Sequence, residues 1–165
     1  MAKASGKADN TKKVIDLLND GRARELGAIL QYMAHHYELE DADFGKLAKT
    51  MKEIAIQEMK HAEKLAERIL FLGGTPTSQL QPQPKKGQTI PEMLATDESL
   101  ETGAVQLYNA SAVRCSELGD QISKELFEKL LADEEGHLDT FQNVAAHLKQ
   151  MGESYLATLT GGAAE

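Results

Sequence analysis

Glu58 and His61 stand three residues apart, and so do Glu134 and His137. On a helix that spacing projects both side chains of a pair from one face. A carboxylate and an imidazole together offer the oxygen and nitrogen donors that a first-row divalent metal accepts. Two further glutamates extend the pattern, because Glu25 precedes Glu58 and Glu101 precedes Glu134 by the same 33 residues. The chain therefore carries a Glu, Glu-x-x-His arrangement twice.

These six residues interrupt apolar stripes. Val14, Leu18, Gly21, Glu25, Ala28 and Tyr32 recur at three- and four-residue steps, as do Leu47, Met51, Ile54, Glu58, His61 and Leu65. So do Phe127, Leu130, Glu134, His137, Phe141, Val144 and Leu148, while Glu101 shares a face with Ala104, Val105 and Tyr108. Such steps mark the buried face of an amphipathic helix. A single glutamate in such a pattern is ordinarily a solvated surface charge. Six residues in register are not. Buried carboxylates cost several kcal/mol each unless compensated, and four together repel until some take up protons. Two divalent cations answer both problems, since four glutamates and two neutral histidines balance their charge. Three carboxylates and one imidazole per metal, with bridging oxygens shared, suit iron or manganese about 3.5–4 Å apart. Four Glu and two His is the known ligand set of metal-binding helical bundles.

Helices must bring the six together. In an antiparallel hairpin, residues equidistant from the turn lie at one height. Glu25 and Glu58 are centred between residues 41 and 42, inside Asp41-Ala42-Asp43-Phe44-Gly45, a turn sequence. Glu101 and Glu134 are centred between 117 and 118, beside the turn Gly119-Asp120. The first helix is expected to start behind Asp9-Asn10-Thr11 and run to about Glu40, and the second to run from about Lys46 to Leu72, stopping at Gly73-Gly74. All four prolines (Pro76, Pro82, Pro84 and Pro91) fall in the one long connection that follows. Thr89-Ile90-Pro91-Glu92 has the spacing of a capping box. The third helix is expected over roughly Ser99 to Glu117, the fourth to about Met151, and a short fifth over Glu153 to Thr160. The fold class is all-α: a four-helix bundle with one long crossover connection and a short C-terminal fifth helix, in a single domain over residues 1–165.

Composition agrees. The 165 residues suffice for one core, aromatics are only 5%, and tryptophan is absent. A net charge of −8 speaks against nucleic-acid binding and would draw small cations. Cys115, the only cysteine, reads as a small buried hydrophobe in a reducing compartment. Residues 1–10 lack a signal peptide's apolar stretch and nothing has the length to span a membrane, so a cytoplasmic protein is expected.

At Gln57-Glu58-Met59-Lys60-His61-Ala62, Glu67-Arg68-Ile69-Leu70-Phe71-Leu72 and Asp133-Glu134-Glu135-Gly136-His137 the chain resembles the bacterioferritins, and the likeness extends from Lys13 to the Tyr155-Leu156-Ala157 segment. The resemblance implies Glu25 and Glu101 as terminal ligands of two irons, and Glu58 and Glu134 as bridges, with His61 on one iron and His137 on the other. It implies that Tyr32, one heptad past Glu25, supplies an electron to this centre; the alternative is a packed core tyrosine. At the positions of the family's inner-surface iron-binding His and Asp, this chain has Glu53 and Gln57.

Met59 follows Glu58, so it points about 100° away from the metal-facing side. With Ala55, Ile56, Ala62 and Ala66 it forms a second apolar strip, which asks for a partner surface. By resemblance two Met59 thioethers hold one haem iron across a twofold interface; otherwise Met59 is a plain interface methionine. The family further implies a ferroxidase that oxidises Fe²⁺ with O₂ or H₂O₂, stores ferric mineral in a shell of about 24 subunits, and exchanges electrons with a ferredoxin-type or rubredoxin-type reductase. A rubrerythrin-like peroxidase or a manganese catalase would share the metal set, but one cysteine cannot supply a rubredoxin module. A haem-carrying protein with a vestigial metal centre is the remaining rival, and six intact ligands count against it.

Overall fold

The computed structural model describes residues 2–162, with side chains from residue 8 onward. Met1 and residues 163–165, the ends of the expected domain, lie outside the described residues. Five helices follow in order: α1 Ala2–Asp41, α2 Gly45–Phe71, α3 Ile90–Glu117, α4 Gln121–Met151 and α5 Glu153–Thr158. The first four form the expected bundle and α5 is the expected short C-terminal helix. α1 pairs with α2 and α3 with α4.

Two helices begin earlier than their sequences advertise. α1 runs straight through Asp9-Asn10-Thr11. The side chains that resemble caps have other partners: Asp9 pairs with Lys13 one turn on, and Asn10 donates Nδ2–H to the Leu118 carbonyl at 3.3 Å. α3 begins at the capping box, where Glu92 Oε2 accepts from the Thr89 backbone N–H at 2.7 Å and from its hydroxyl at 2.8 Å. The start expected at about Ser99 lies inside α3, and Asp97, two residues before it, is fully buried and faces His35.

Residues 72–89 cross from one hairpin to the other beside α1. Thr77 N–H bonds Asn19 Oδ1 (2.8 Å), Gln81 N–H bonds the Ala23 carbonyl (2.9 Å) and Lys85 N–H bonds Gln31 Oε1 (2.8 Å). The connection thus advances in the direction of α1 and delivers α3 beside that helix's far end, so α3 runs antiparallel to α1. At the other end, Arg68 of α2 holds the α4 N-cap Asp120 with two bonds of 2.8 and 2.9 Å, and Asp120 in turn accepts from Ser123 N–H at 3.0 Å.

The core has two apolar halves. One, around Tyr32, Leu39, Leu47, Met51 and Phe141, lies toward the α1–α2 turn; the other, around Leu18, Leu65, Tyr108, Phe127 and Leu130, lies toward the α3–α4 turn. Each carries a tilted tyrosine–phenylalanine pair with ring centroids 5.5 Å apart, Tyr32–Phe141 and Tyr108–Phe127. Cys115 is buried in the second half, and burial pushes its thiol up to about 11, as suits a packing residue. Between the halves lies a polar layer.

Candidate metal centre

That layer is made of the six residues singled out by spacing. Glu25 comes from α1, Glu58 and His61 from α2, Glu101 from α3, Glu134 and His137 from α4, and none is more than 6% exposed. His61 Nδ1 lies 2.8 Å from Glu58 Oε2, 2.9 Å from Glu134 Oε1 and 3.8 Å from Glu25 Oε1. His137 Nδ1 lies 2.8 Å from Glu58 Oε1, 3.4 Å from Glu134 Oε2 and 3.9 Å from Glu101 Oε2. Glu58 and Glu134 therefore face both histidines, whereas Glu25 faces one and Glu101 the other. Two overlapping groups of four result, Glu25-Glu58-His61-Glu134 and Glu58-Glu101-Glu134-His137, each with its donor atoms within 4.8 Å of one another.

The donor atoms fit metal ions better than they fit each other. Both Glu58 oxygens, Glu134 Oε1 and the Nδ1 atoms of both histidines are buried without a hydrogen bond of acceptable angle, despite separations of 2.8–2.9 Å. Buried polar atoms are rarely left so. Lone pairs that converge on shared points instead of on one another are the arrangement a pair of cations requires.

Protons are the competing counter-charge. Burial, and then the charges of Glu58 and Glu134, hold the Glu25 carboxyl well above its ordinary range; burial and the same two neighbours do so for Glu101. For the histidines burial disfavours the charged ring, but close contact with Glu134 and Glu58 wins, raising His61 to about 10 and His137 to about 9. Burial opposes ionisation of Glu134 too, and the His137 and His61 contacts outweigh it, bringing its carboxyl down to about 2. A metal must displace these protons to bind.

The outer contacts were not visible in the sequence. His61 Nε2–H donates to Asp133 Oδ2 at 3.2 Å and His137 Nε2–H donates to Gln57 Oε1 at 2.7 Å. Each fixes which ring nitrogen faces the centre. Tyr32 donates its hydroxyl to Glu101 across the bundle, and Tyr108 donates its own to Glu25 in the reciprocal direction. Tyr108 stands seven residues after Glu101 as Tyr32 stands seven after Glu25; that internal repeat was the signal that could have found it. Beyond Tyr32, His35 Nδ1 lies 3.1 Å from Asp97, a buried pair that ties α1 to α3.

Met59 is turned away from this layer, 56% exposed where Glu58 is fully buried. Its soft thioether is available to a partner copy, unlike Met51 and Met93 in the core. The strip around it is narrower than its sequence suggested. Ala55 and Ala62 are buried in the bundle at 2% and 3% exposure, so only Ile56, at 41%, continues the exposed apolar surface clearly. Glu53, also on α2, is exposed and lies 4.0 Å from Lys49. Among the described residues, no helix is long and apolar enough to cross a membrane.

Comparison with known proteins agrees with the geometry. A family model for the ferritin-like domain matches residues 15–151. The bacterioferritin of Desulfovibrio desulfuricans is 43% identical over 96% of this chain and 88% of its own length, and that of Brucella melitensis is 41% identical over 93% and 95%. The solved structure of the D. desulfuricans bacterioferritin, described with a diiron site in different catalytic states, superposes with a TM-score of 0.94 at 42% identity, covering 96% of this chain and 93% of that one. The Rhodobacter capsulatus bacterioferritin, described with a metal-free dinuclear site and a haem iron in a crystallographic special position, gives 0.86 at 39% identity, covering 92% and 94%. With four long helices, a doubled Glu, Glu-x-x-His layer and these relatives across nearly its full length, the chain belongs to the bacterioferritin family.

Proposed function

We propose that this chain, one domain over residues 1–165, stores and detoxifies iron by oxidising Fe²⁺ at the layer between its two apolar half-cores. One observation carries the reading: five buried donor atoms of Glu58, His61, Glu134 and His137 converge without hydrogen bonds, with Glu58 and Glu134 facing both histidines. In this reading Glu25 and His61 hold one iron, Glu101 and His137 the other, and Glu58 and Glu134 bridge them. Two Fe²⁺ give one electron each to O₂, which takes two protons and leaves as H₂O₂; where H₂O₂ is the oxidant, the same two electrons and two protons yield two waters. Tyr32 holds Glu101 in place through its hydroxyl and stands ready as an additional electron source. The ferric product is stored in the cavity of a closed shell of about 24 subunits, in the cytoplasm. Met59 thioethers from two copies would hold a haem iron, which would supply one-electron chemistry toward the stored iron, with a ferredoxin-type or rubredoxin-type reductase as partner.

The test is Glu134→Ala. Losing a bridge should slow aerobic Fe²⁺ oxidation by more than the roughly 10–100-fold typical of losing an outer-shell partner, while the native mass of the shell is unchanged. An unimpaired rate would place the ferroxidase elsewhere.

A further inference from the structure

The metal layer is walled differently on its two sides. Toward α2 and α4 the histidine rings meet Gln57 and Asp133, both polar and exposed to solvent. That rim suits a hydrated cation. Toward α1 and α3 a void of about 10 Å³ lies against Glu25, Tyr32 and Glu101. It has room for about one water-sized molecule. Glu134 and Arg24 complete its polar lining, and the rest of its wall is Ala28, Leu100, Ala104 and Pro82, an apolar side facing the carboxylates.

Outside that wall lies an open cleft of about 710 Å³. Arg24, Pro82 and Leu100 line both spaces and form the wall that cleft and void share. Two glycines shape the passage. A Cβ on Gly27 would fall 2.7 Å from the Gln81 carbonyl oxygen and 2.8 Å from that of Pro82, so only glycine lets the crossover connection roof the groove this closely. A Cβ on Gly103 would fall 2.6 Å from Arg24 Nη1, so the guanidinium rests against bare backbone at the mouth. Glu98 lines the outer cleft but not the void, and of the three residues lining both spaces Arg24 is the charged one. A fixed cation repels Fe²⁺ and is indifferent to an uncharged diatomic.

We propose that dioxygen reaches the centre through this α1–α3 passage, past Arg24, while iron is kept to the opposite side. The proposal rests on the ferroxidase reading and supplies it with a separate entrance for its oxidant. Xenon under pressure is the probe, because it is uncharged and collects against apolar walls. Crystals of the assembled protein under xenon pressure should show an atom between Ala28, Leu100 and Ala104. Ala104→Leu, which fills the void, and Leu100→Phe, which thickens its outer wall, should each slow the O₂-dependent step of single-turnover oxidation at least tenfold. Both should still bind two Co²⁺ per subunit anaerobically with the parent's absorption spectrum. Crystals of Arg24→Glu soaked in Fe²⁺ should show an ion in the cleft, where the parent shows none. No xenon in the void, or variants that bind two Co²⁺ and react with O₂ at the parent rate, overturns the passage. Parent protein that takes up xenon but oxidises no iron overturns the ferroxidase reading and not the passage.

Discussion

His137 on α4 is held by Gln57 on α2 at 2.7 Å, and Gln57 is the residue immediately before the glutamate that His137 faces. The other half reciprocates: Asp133, immediately before Glu134, lies 3.2 Å from His61. The working unit is therefore one residue longer than Glu-x-x-His, and each copy orients the histidine of the opposite helix. The two halves differ in charge, since one orienting group is a carboxylate and the other an amide. Gln57→Ala and Asp133→Ala should each weaken one metal of the pair about 10–100-fold. Anaerobic Co²⁺ titration should then resolve two unequal sites, with a different one weakened in each variant; equal loss at both sites would contradict this assignment of partners.

Metal binding should be steeply pH-dependent. His61 at about 10 and His137 at about 9 hold protons near neutral pH, and burial pushes the Glu25 and Glu101 carboxyls in the same direction, well above their ordinary range. Filling the centre should release at least the two histidine protons per pair of metals, measurable with an indicator dye in weak buffer, and affinity should rise with pH. The metal-free fold should show the opposite trend. A group whose folded-state pKa is raised stabilises fully below its unfolded value, 6.5 for histidine, and that stability is lost as pH rises through about 9 to 10. Metal-free protein should therefore melt lower at pH 10 than at pH 6, and metal-loaded protein should not follow it.

Tyr32 and Tyr108 separate structure from electron transfer. Each gives its hydroxyl to a buried terminal glutamate, so Tyr32→Phe and Tyr108→Phe should both destabilise the protein, by about 1–3 kcal/mol for the unsatisfied acceptor. If Tyr32 also donates electrons, Tyr32→Phe alone should abolish a tyrosyl radical signal in rapid-freeze electron paramagnetic resonance. A signal that survives Tyr32→Phe and vanishes in Tyr108→Phe would exchange their roles.

Met59→His should keep haem and change its spectrum, because the axial ligand governs the iron's electronic state, whereas Met59→Leu should lose it. Both should oxidise Fe²⁺ at the parent rate, since Met59 is exposed and turned from the buried layer. A full haem complement with an unaltered spectrum in Met59→Leu would overturn the ligand assignment.

The sequence by itself determined the bundle and the six-residue layer. Apolar steps of three and four residues specify which face of each helix is buried, and a charged residue inside such a face must be compensated, so Glu25, Glu58, His61, Glu101, Glu134 and His137 announce themselves through period and energetics. Hairpin symmetry about residues 41–42 and 117–118 set their common height. Thr89 and Glu92 do cap α3, but Asn10 reaches across to Leu118 instead of capping, and Asp97, just before the start expected at Ser99, turns inward to His35. Only the tertiary structure decided the contacts between helices that are neighbours in space and distant in the chain. Gln57 with His137, Tyr108 with Glu25, and Gln81 against Gly27 depend on how α1 rotates against α3 and α2 against α4, and on the path residues 72–89 take along α1. Periodicity states which face of a helix is buried; it carries no term for the residue that will meet that face from a helix 80 positions away.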